Sequence, residues 1–331
     1  MEKFTFIILN YNSTEETLNC IDAINALNYL ERYIIVVDNA SKDQALFLEK
    51  VSRHCVNMKN IHILKSNENC GYACGNNIGI HFAKKVIKSD YICVMNPDAV
   101  IKSNNFIEKS IELYQKYNYA ICGPKIVKDG VNCNPLGGYK ESILFHVYHL
   151  LENYRIILVK KWRLGRFNFI KKLSPEYKNN KEMKELKTCV KNDDGTEMLL
   201  NKSMEKQLSG ACLIFSPTFL KTFSGFCDKT FLYCEETILT AVCFSLGYKI
   251  LYSSQLEVIH ESGKSFENTI CDSKERQIQI SKIGAASVLA VIDVLLHKKN
   301  KMYLKNCLTP SIKEYSEYSI IETENKELFN R

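Results

Sequence analysis

The chain has no Cys-x-x-Cys pair among its 14 cysteines, no apolar leader after Met1-Glu2-Lys3-Phe4, and no internal repeat or long flexible linker. Without a paired-cysteine framework or a secretory h-region, a reduced cytosolic protein is expected, its cysteines serving mostly as small buried apolar residues. Long apolar runs are also scarce. The longest, Ala285 to Leu296, carries Asp293 and falls short of the roughly 20 residues that span a bilayer, so no transmembrane segment is expected. Cys70 with Cys74, and His146 with His149, have helix-like spacing, but neither pair has the second pair that structural zinc requires. A recognisable DNA- or RNA-binding motif is absent too, so nucleic acid is not an expected partner.

What is present is ordinary in bulk. Hydrophobic and charged fractions of 46% and 24% in 331 residues suit a soluble globular chain with a sizeable core, not disorder or a fibre. The formal charge is a mild +7. Much of the basic excess falls between Lys160 and Lys187, where Trp162, Phe167, Phe169 and Ile170 are interleaved with lysines and arginines. That mixture suits either a solvated face or peripheral contact with an anionic membrane surface.

The first third alternates regularly. Phe4 to Leu9 reads as a strand, and Ser13-Thr14-Glu15-Glu16 opens a helix to about Leu27. Tyr33 to Val37 is a second apolar strand ending on Asp38, followed by a helix to about His54 and a third strand at Ile61 to Leu64. Gly75 to Lys88 reads as a helix with Ile78, Phe82 and Val86 on one face, leading into the strand Tyr91 to Met95. Strands apolar throughout and separated by helices imply a parallel sheet covered on both faces. Then come a short strand, Tyr119 to Cys122, a loop with Gly123-Pro124, Asn134-Pro135 and Gly137-Gly138, and a polar, lysine-rich insertion over about 141–206. Patterning resumes with a strand at Leu208 to Phe215, a short helix from Pro217, a helix from Glu235 to Leu246 closed by Gly247, a strand at Tyr248 to Tyr252, and a helical tail from Ser273.

Four polar clusters fall at strand ends or tight turns: Asn10-Tyr11-Asn12, Asp38-Asn39-Ala40-Ser41, Asn96-Pro97-Asp98 and Cys234-Glu235-Glu236. Each alone reads equally as a turn or a helix cap. Together they matter more, because ligands of open α/β sheets collect outside the carboxyl ends of the strands.

These clusters, with Asn67-Glu68-Asn69-Cys70-Gly71-Tyr72-Ala73-Cys74-Gly75-Asn76-Asn77, Ser209-Gly210-Ala211, the run Gly225 to Glu236 and His260-Glu261-Ser262-Gly263-Lys264-Ser265, resemble in order and spacing the inverting glycosyltransferases of family 2. The likeness is to the rhamnosyltransferase-like branch and covers roughly residues 3 to 265. It implies an α/β GT-A fold, a Rossmann-like, mostly parallel central sheet flanked by helices, with a helical C-terminal extension over 266–331. The catalytic domain would be 1–265, with a nucleotide-sugar half over 1–125 and an acceptor half over 126–265.

The resemblance also implies roles. Asn10, Asn12 and Asp38 would hold the nucleotide base and ribose, while Asn67, Gly71 and Asn76 belong to a loop whose small residues let backbone approach the nucleotide. Asp98, with Asn96 nearby, would hold Mg²⁺ or Mn²⁺ on the donor diphosphate, and His260 would be either a metal or diphosphate ligand or a buried histidine. Glu236 aligns with the family's usual base, an Asp, and is preferred over Glu235. The implied reaction moves a sugar, rhamnose being one candidate, from a dTDP- or UDP-sugar to a hydroxyl of a lipid-linked glycan at the inner face of the cell membrane.

The chain departs from the family at Glu236, and at Ile238 and Val242, where polar residues are usual; with Leu246 these form an apolar stripe at helical spacing. The departures leave open a catalytically impaired GT-A binding protein. A sugar-phosphate nucleotidyltransferase fits less well, because Asn10-Tyr11-Asn12-Ser13 offers no Gly-rich phosphate loop.

Overall fold

The computed structural model describes residues 1–162, 197–260 and 273–318. The amino-terminal half alternates strand and helix: β1 (Phe4–Asn10), α1 (Thr14–Asn25), β2 (Arg32–Asp38), α2 (Gln44–Cys55), β3 (Ile61–Ser66), α3 (Gly71–Phe82) and β4 (Tyr91–Met95). Then follow β5 (Ala99–Ile101), α4 (Phe106–Tyr117), β6 (Ile121–Lys128), β7 (Val131–Asn132), β8 (Leu136–Gly137), α5 (Ile143–Trp162), β9 (Glu197–Leu200), β10 (Lys206–Gln207) and β11 (Cys212–Phe215). The last elements are α6 (Pro217–Thr222), α7 (Glu235–Leu246), β12 (Ile250–His260), α8 (Ser273–Leu296), α9 (Lys301–Cys307) and β13 (Tyr315–Tyr318).

The main sheet runs β13-β3-β2-β1-β4-β11-β6-β12-β5. Pairs β3-β2, β2-β1, β1-β4 and β6-β12 are parallel, while β11 is antiparallel to both β4 and β6. The apolar strands are explained by burial on both faces. Phe6, Ile8, Ile34 and Val36 pack under α1, α2 and α4. Their alternates Ile7, Ile35 and Val37 pack under α3 and the carboxyl-terminal helices.

Four expectations need revising. The third helix begins at Gly71, a turn earlier than Gly75, and continues into a π turn at Ala83–Ile87. The wider turn shifts the helical phase, so Ile87 is buried and Val86 faces solvent. Gly123-Pro124 lies inside β6, not in a loop, because that strand runs on to Lys128. The strand expected to stop at Tyr252 continues to His260, across a register shift between Ser253 and Glu257. The tail is helical through Cys307, then β13 pairs antiparallel with β3 and closes the sheet edge.

Helix α8 is, over Lys274–Leu296, long and apolar enough to cross a membrane by length and composition. It lays Ala290, Val291, Val294 and Leu295 against the domain core. The basic aromatic stretch expected at 160–187 lies outside the described residues beyond Trp162, as do Glu261 to Ser265.

Candidate active site

Parallel neighbours β1, β2 and β4 end at one edge, where Asn10, Asp38 and Asn96 stand. Asn10 and Asp38 are fully buried. Asp38 Oδ1 accepts from Asn10 Nδ2 at 2.7 Å and Ser41 Oγ at 2.5 Å; Oδ2 accepts from Ser41 N at 3.1 Å and Gln44 Nε2 at 2.6 Å. Asn10 Oδ1 in turn accepts from Ser13 N at 3.1 Å and Thr17 Oγ1 at 3.0 Å. Asn10 and Asp38 therefore form a buried network that ties the ends of β1 and β2 to α1 and α2. Both stand behind the wall of the cleft described next.

That cleft, about 340 Å³, is lined by Leu9, Tyr11, Asn39, Asn69, Gly71, Tyr72, Asn96, Pro97, Asp98, Phe231, Leu232, Tyr233 and His260. Asp98 and His260 reach it by tertiary pairing. Antiparallel register sets His260 of β12 opposite Ala99 of β5, and His260 Nε2 comes 3.1 Å from Asp98 Oδ1. Asn96 is held at the turn by Asn96 N donating to Ala211 O and by Ala99 N donating to Asn96 O.

The loop after β3 forms the opposite wall. Gly71 has φ +82°, and a Cβ there would stand 2.2 Å from the Phe231 carbonyl oxygen. A side chain would be excluded both by that contact and by the left-handed backbone. Tyr72 N donates to the same oxygen at 2.7 Å. A Cβ at Gly75 would meet Leu9 Cδ1 at 2.6 Å. The small residues of this loop thus admit the protein's own segments closely, and Gly71 also lies on the cleft lining. Asn67 and Asn12 are exposed and Asn76 is buried within α3, its Nδ2 donating to Tyr72 O; none of the three lines the cleft.

Glu235 and Glu236 open α7 after two residues with positive φ, Tyr233 at +75° and Cys234 at +69°. The turn buries Glu235, and burial, then the charge of Glu236, pushes its carboxyl up from 4.5 to about 8. Glu236 is also pushed up, by burial, while the Gly210 N–H that donates to Oε1 at 3.0 Å pulls it down. Neither carboxylate is on the cleft lining. Glu236 adjoins it through Gly210, whose carbonyl accepts from Tyr72 Oη at 2.6 Å. Beyond Glu236, Ile238 and Val242 are fully buried, so the stripe is core packing.

Two residues of the quoted motifs matter here to which the sequence assigned no role. Asn39 Nδ2 donates to Asn69 Oδ1 and Gly71 O, and its Oδ1 accepts from Cys70 N, so it holds the loop to the end of β2. Its place immediately after Asp38 was the available signal. Tyr72 joins the cleft wall to Glu236, and an aromatic residue directly after a conformationally special glycine was its signal.

Asp98 supplies a hard carboxylate oxygen, the donor type that Mg²⁺ and Mn²⁺ prefer, with the softer His260 imidazole and the Asn96 amide beside it; among the described residues no group of three or more His, Cys, Asp or Glu could hold a metal ion.

An open, largely parallel sheet flanked by helices, with its crevice at the strand ends, defines the GT-A class of α/β fold. The chain belongs to glycosyl transferase family 2, whose sequence model matches residues 5–174, just over half its length. The low-salt glycan biosynthesis hexosyltransferase Agl10 of Haloferax volcanii is 29% identical over 135 residues, 40% of this chain and 40% of that protein. The chain thus spans about two fifths of the curated relative it matches. Among solved structures, S. aureus TarS 1-349 has a TM-score of 0.50 at 13% identity, covering 91% of this chain and 73% of that one. GalNAc-T7 with UDP, GalNAc and Mn2+ has a TM-score of 0.54 at 12% identity, covering 93% and 55%. At these identities the structural likeness establishes the fold alone.

Proposed function

We propose that this chain is an inverting hexosyltransferase that moves a sugar from a nucleoside diphosphate donor to a hydroxyl of a growing glycan. The observation that carries the reading is the Asp98–His260 pair, 3.1 Å apart on the cleft lining of a family 2 chain. The family membership and the glycan hexosyltransferase relative support it. The donor is a dTDP- or UDP-sugar, with rhamnose the first sugar to try, and the acceptor is a lipid-linked, cell-surface glycan met at the inner face of the membrane.

Asp98 and His260 would hold Mg²⁺ or Mn²⁺, with Asn96 beside them. The cation, when bound, offsets the negative charge that grows on the leaving diphosphate. Asn39, Asn69 and Gly71 shape the wall against which the nucleotide lies, and Asn10 and Asp38 keep that wall in place. Glu236 takes the proton from the acceptor hydroxyl as the sugar–oxygen bond forms on the face opposite the leaving group, which inverts the anomeric carbon in one step. A base works ionised, and burial raises the Glu236 carboxyl, so turnover increases as pH rises through its titration.

A nucleotide-sugar panel with Mn²⁺, read by release of the nucleoside diphosphate, tests the assignment. Turnover should vanish in chelator and fall at least about 100-fold in Asp98→Asn with thermal unfolding unchanged. Full activity of Asp98→Asn would remove Asp98 from the site. A second reading, a binding protein that keeps the fold without turnover, is favoured by the position of Glu236 behind Tyr72 and Gly210. Donor binding without release for every sugar tried would select it.

A further inference from the structure

Helix α5 exposes Leu144, Leu151 and Leu158 at seven-residue intervals, with Tyr154 between the last two; their exposures are 81%, 54%, 53% and 48%. Seven residues are nearly two helical turns, so these side chains form one outward stripe. Another side of α5 packs antiparallel against α8, with Gly284 beside Asn153 and Lys298 Nζ 3.6 Å from Glu141. Helix α8 adds exposed Leu289 and Leu296, and α9 begins with exposed Met302.

Charge identifies what this face meets. The segments 143–162 and 273–307, which contain α5, α8 and α9, hold ten Lys and Arg against three acids. Residues 163–196, which follow α5, hold nine against five, whereas the rest of the chain holds 25 against 29. Positive charge is thus concentrated on the segments that carry the exposed leucines and on the one that follows α5, whereas residues 261–272, which precede α8, hold one against three. A second copy would bring like charge against like charge, and residues 163–196 carry the same sign. A surface that accepts leucine and tyrosine while attracting lysine is an anionic lipid bilayer.

We propose that the exposed face of α5 and α8 lies on an anionic bilayer, with the leucine stripe in the interface and Lys161, Lys299 and Lys301 toward the headgroups. The placement has a consequence for the cleft. On α8, Ser287 Oγ donates to the carbonyl of Leu232, a cleft-lining residue, at 2.8 Å, and Asp293 accepts from Lys229 Nζ at 2.6 Å. The helix that touches lipid therefore also supports the Phe231–Tyr233 wall, which brings the cleft to a lipid-linked acceptor. That consequence rests on the acceptor proposed above, but the docking is measured without donor or acceptor, so the two ideas fail separately.

The test is flotation of the full chain with vesicles of phosphatidylcholine, alone or mixed with phosphatidylglycerol. The protein should float with the mixed vesicles, be released by salt, and stay behind with the neutral ones. Leu151→Glu/Leu158→Glu and Lys299→Glu/Lys301→Glu should each weaken flotation by at least about tenfold, with thermal unfolding unchanged. Equal partition onto both vesicle types, or variants that float like the parent, would overturn the proposal. A dimer that the leucine variant splits would assign the face to a second copy, and a marked fall in its unfolding temperature would assign it to the chain's own residues.

Discussion

Replacing Glu235 with Gln keeps the side chain's shape and removes a carboxyl that the fold pushes up to about 8 from 4.5. The native state therefore binds a proton between those pH values that the unfolded chain has released. Stability from this group is fully present below pH 4.5 and is lost as pH rises through 8, at about 1.4 kcal/mol per pH unit. Over the whole window this amounts to about 5 kcal/mol, and to about 3 kcal/mol at pH 7. The side chain is only 4% exposed, so little of this is screened by solvent. Glu235→Gln should then be more stable than the parent at pH 8 by a few kcal/mol, and the two should converge below pH 4.5. Glu236 raises the Glu235 carboxyl by its charge, so the difference between the two proteins reports Glu235 together with its coupling to Glu236. Urea titrations from pH 4.5 to 8.5 measure it directly. Two parallel stability curves would show that Glu235 is ionised in the native state throughout, and that burial does not control it.

Asp38→Ala should destabilise the fold by roughly 3 kcal/mol, because it leaves four donors from Asn10, Ser41 and Gln44 without their acceptor. The urea midpoint reads this; unchanged stability with a raised KM for donor would instead put Asp38 in contact with the nucleotide. Gly71→Ala should lower stability by about 2 kcal/mol or more, from the left-handed backbone and the collision with the Phe231 carbonyl. It should also raise the donor KM, since the loop is part of the cleft wall, and a variant with the parent's melting temperature and KM would contradict both points.

Local pattern was enough for the strand and helix order of the first hundred residues, for the glycine closing α7, and for Asp98 as a carboxylate at a strand end. In each case one strong signal, an apolar run or a special glycine, acts over a few residues and has no competitor. It was insufficient for the π turn at Ala83–Ile87, which moves Val86 to the surface, because a one-residue change of helical phase leaves no mark in composition. Strand β13 was missed for a related reason: Tyr315–Tyr318 is short and polar, and becomes a strand only because β3 offers an unpaired edge.

The candidate site divides along the same line. By itself, the sequence determined where the candidate carboxylates stand, Asp98 just after β4 and the Glu235-Glu236 pair opening α7, and the family to which their spacing belongs. Only the tertiary structure decided which of them meet. His260 reaches Asp98 across 162 residues because β12 runs antiparallel to β5 in one register, and a shift of a single residue would turn the imidazole to the other face. Asp38, by contrast, ends its strand one place from the cleft lining and is held by four donors, which brace the wall that Asn39, Tyr72 and Gly71 present.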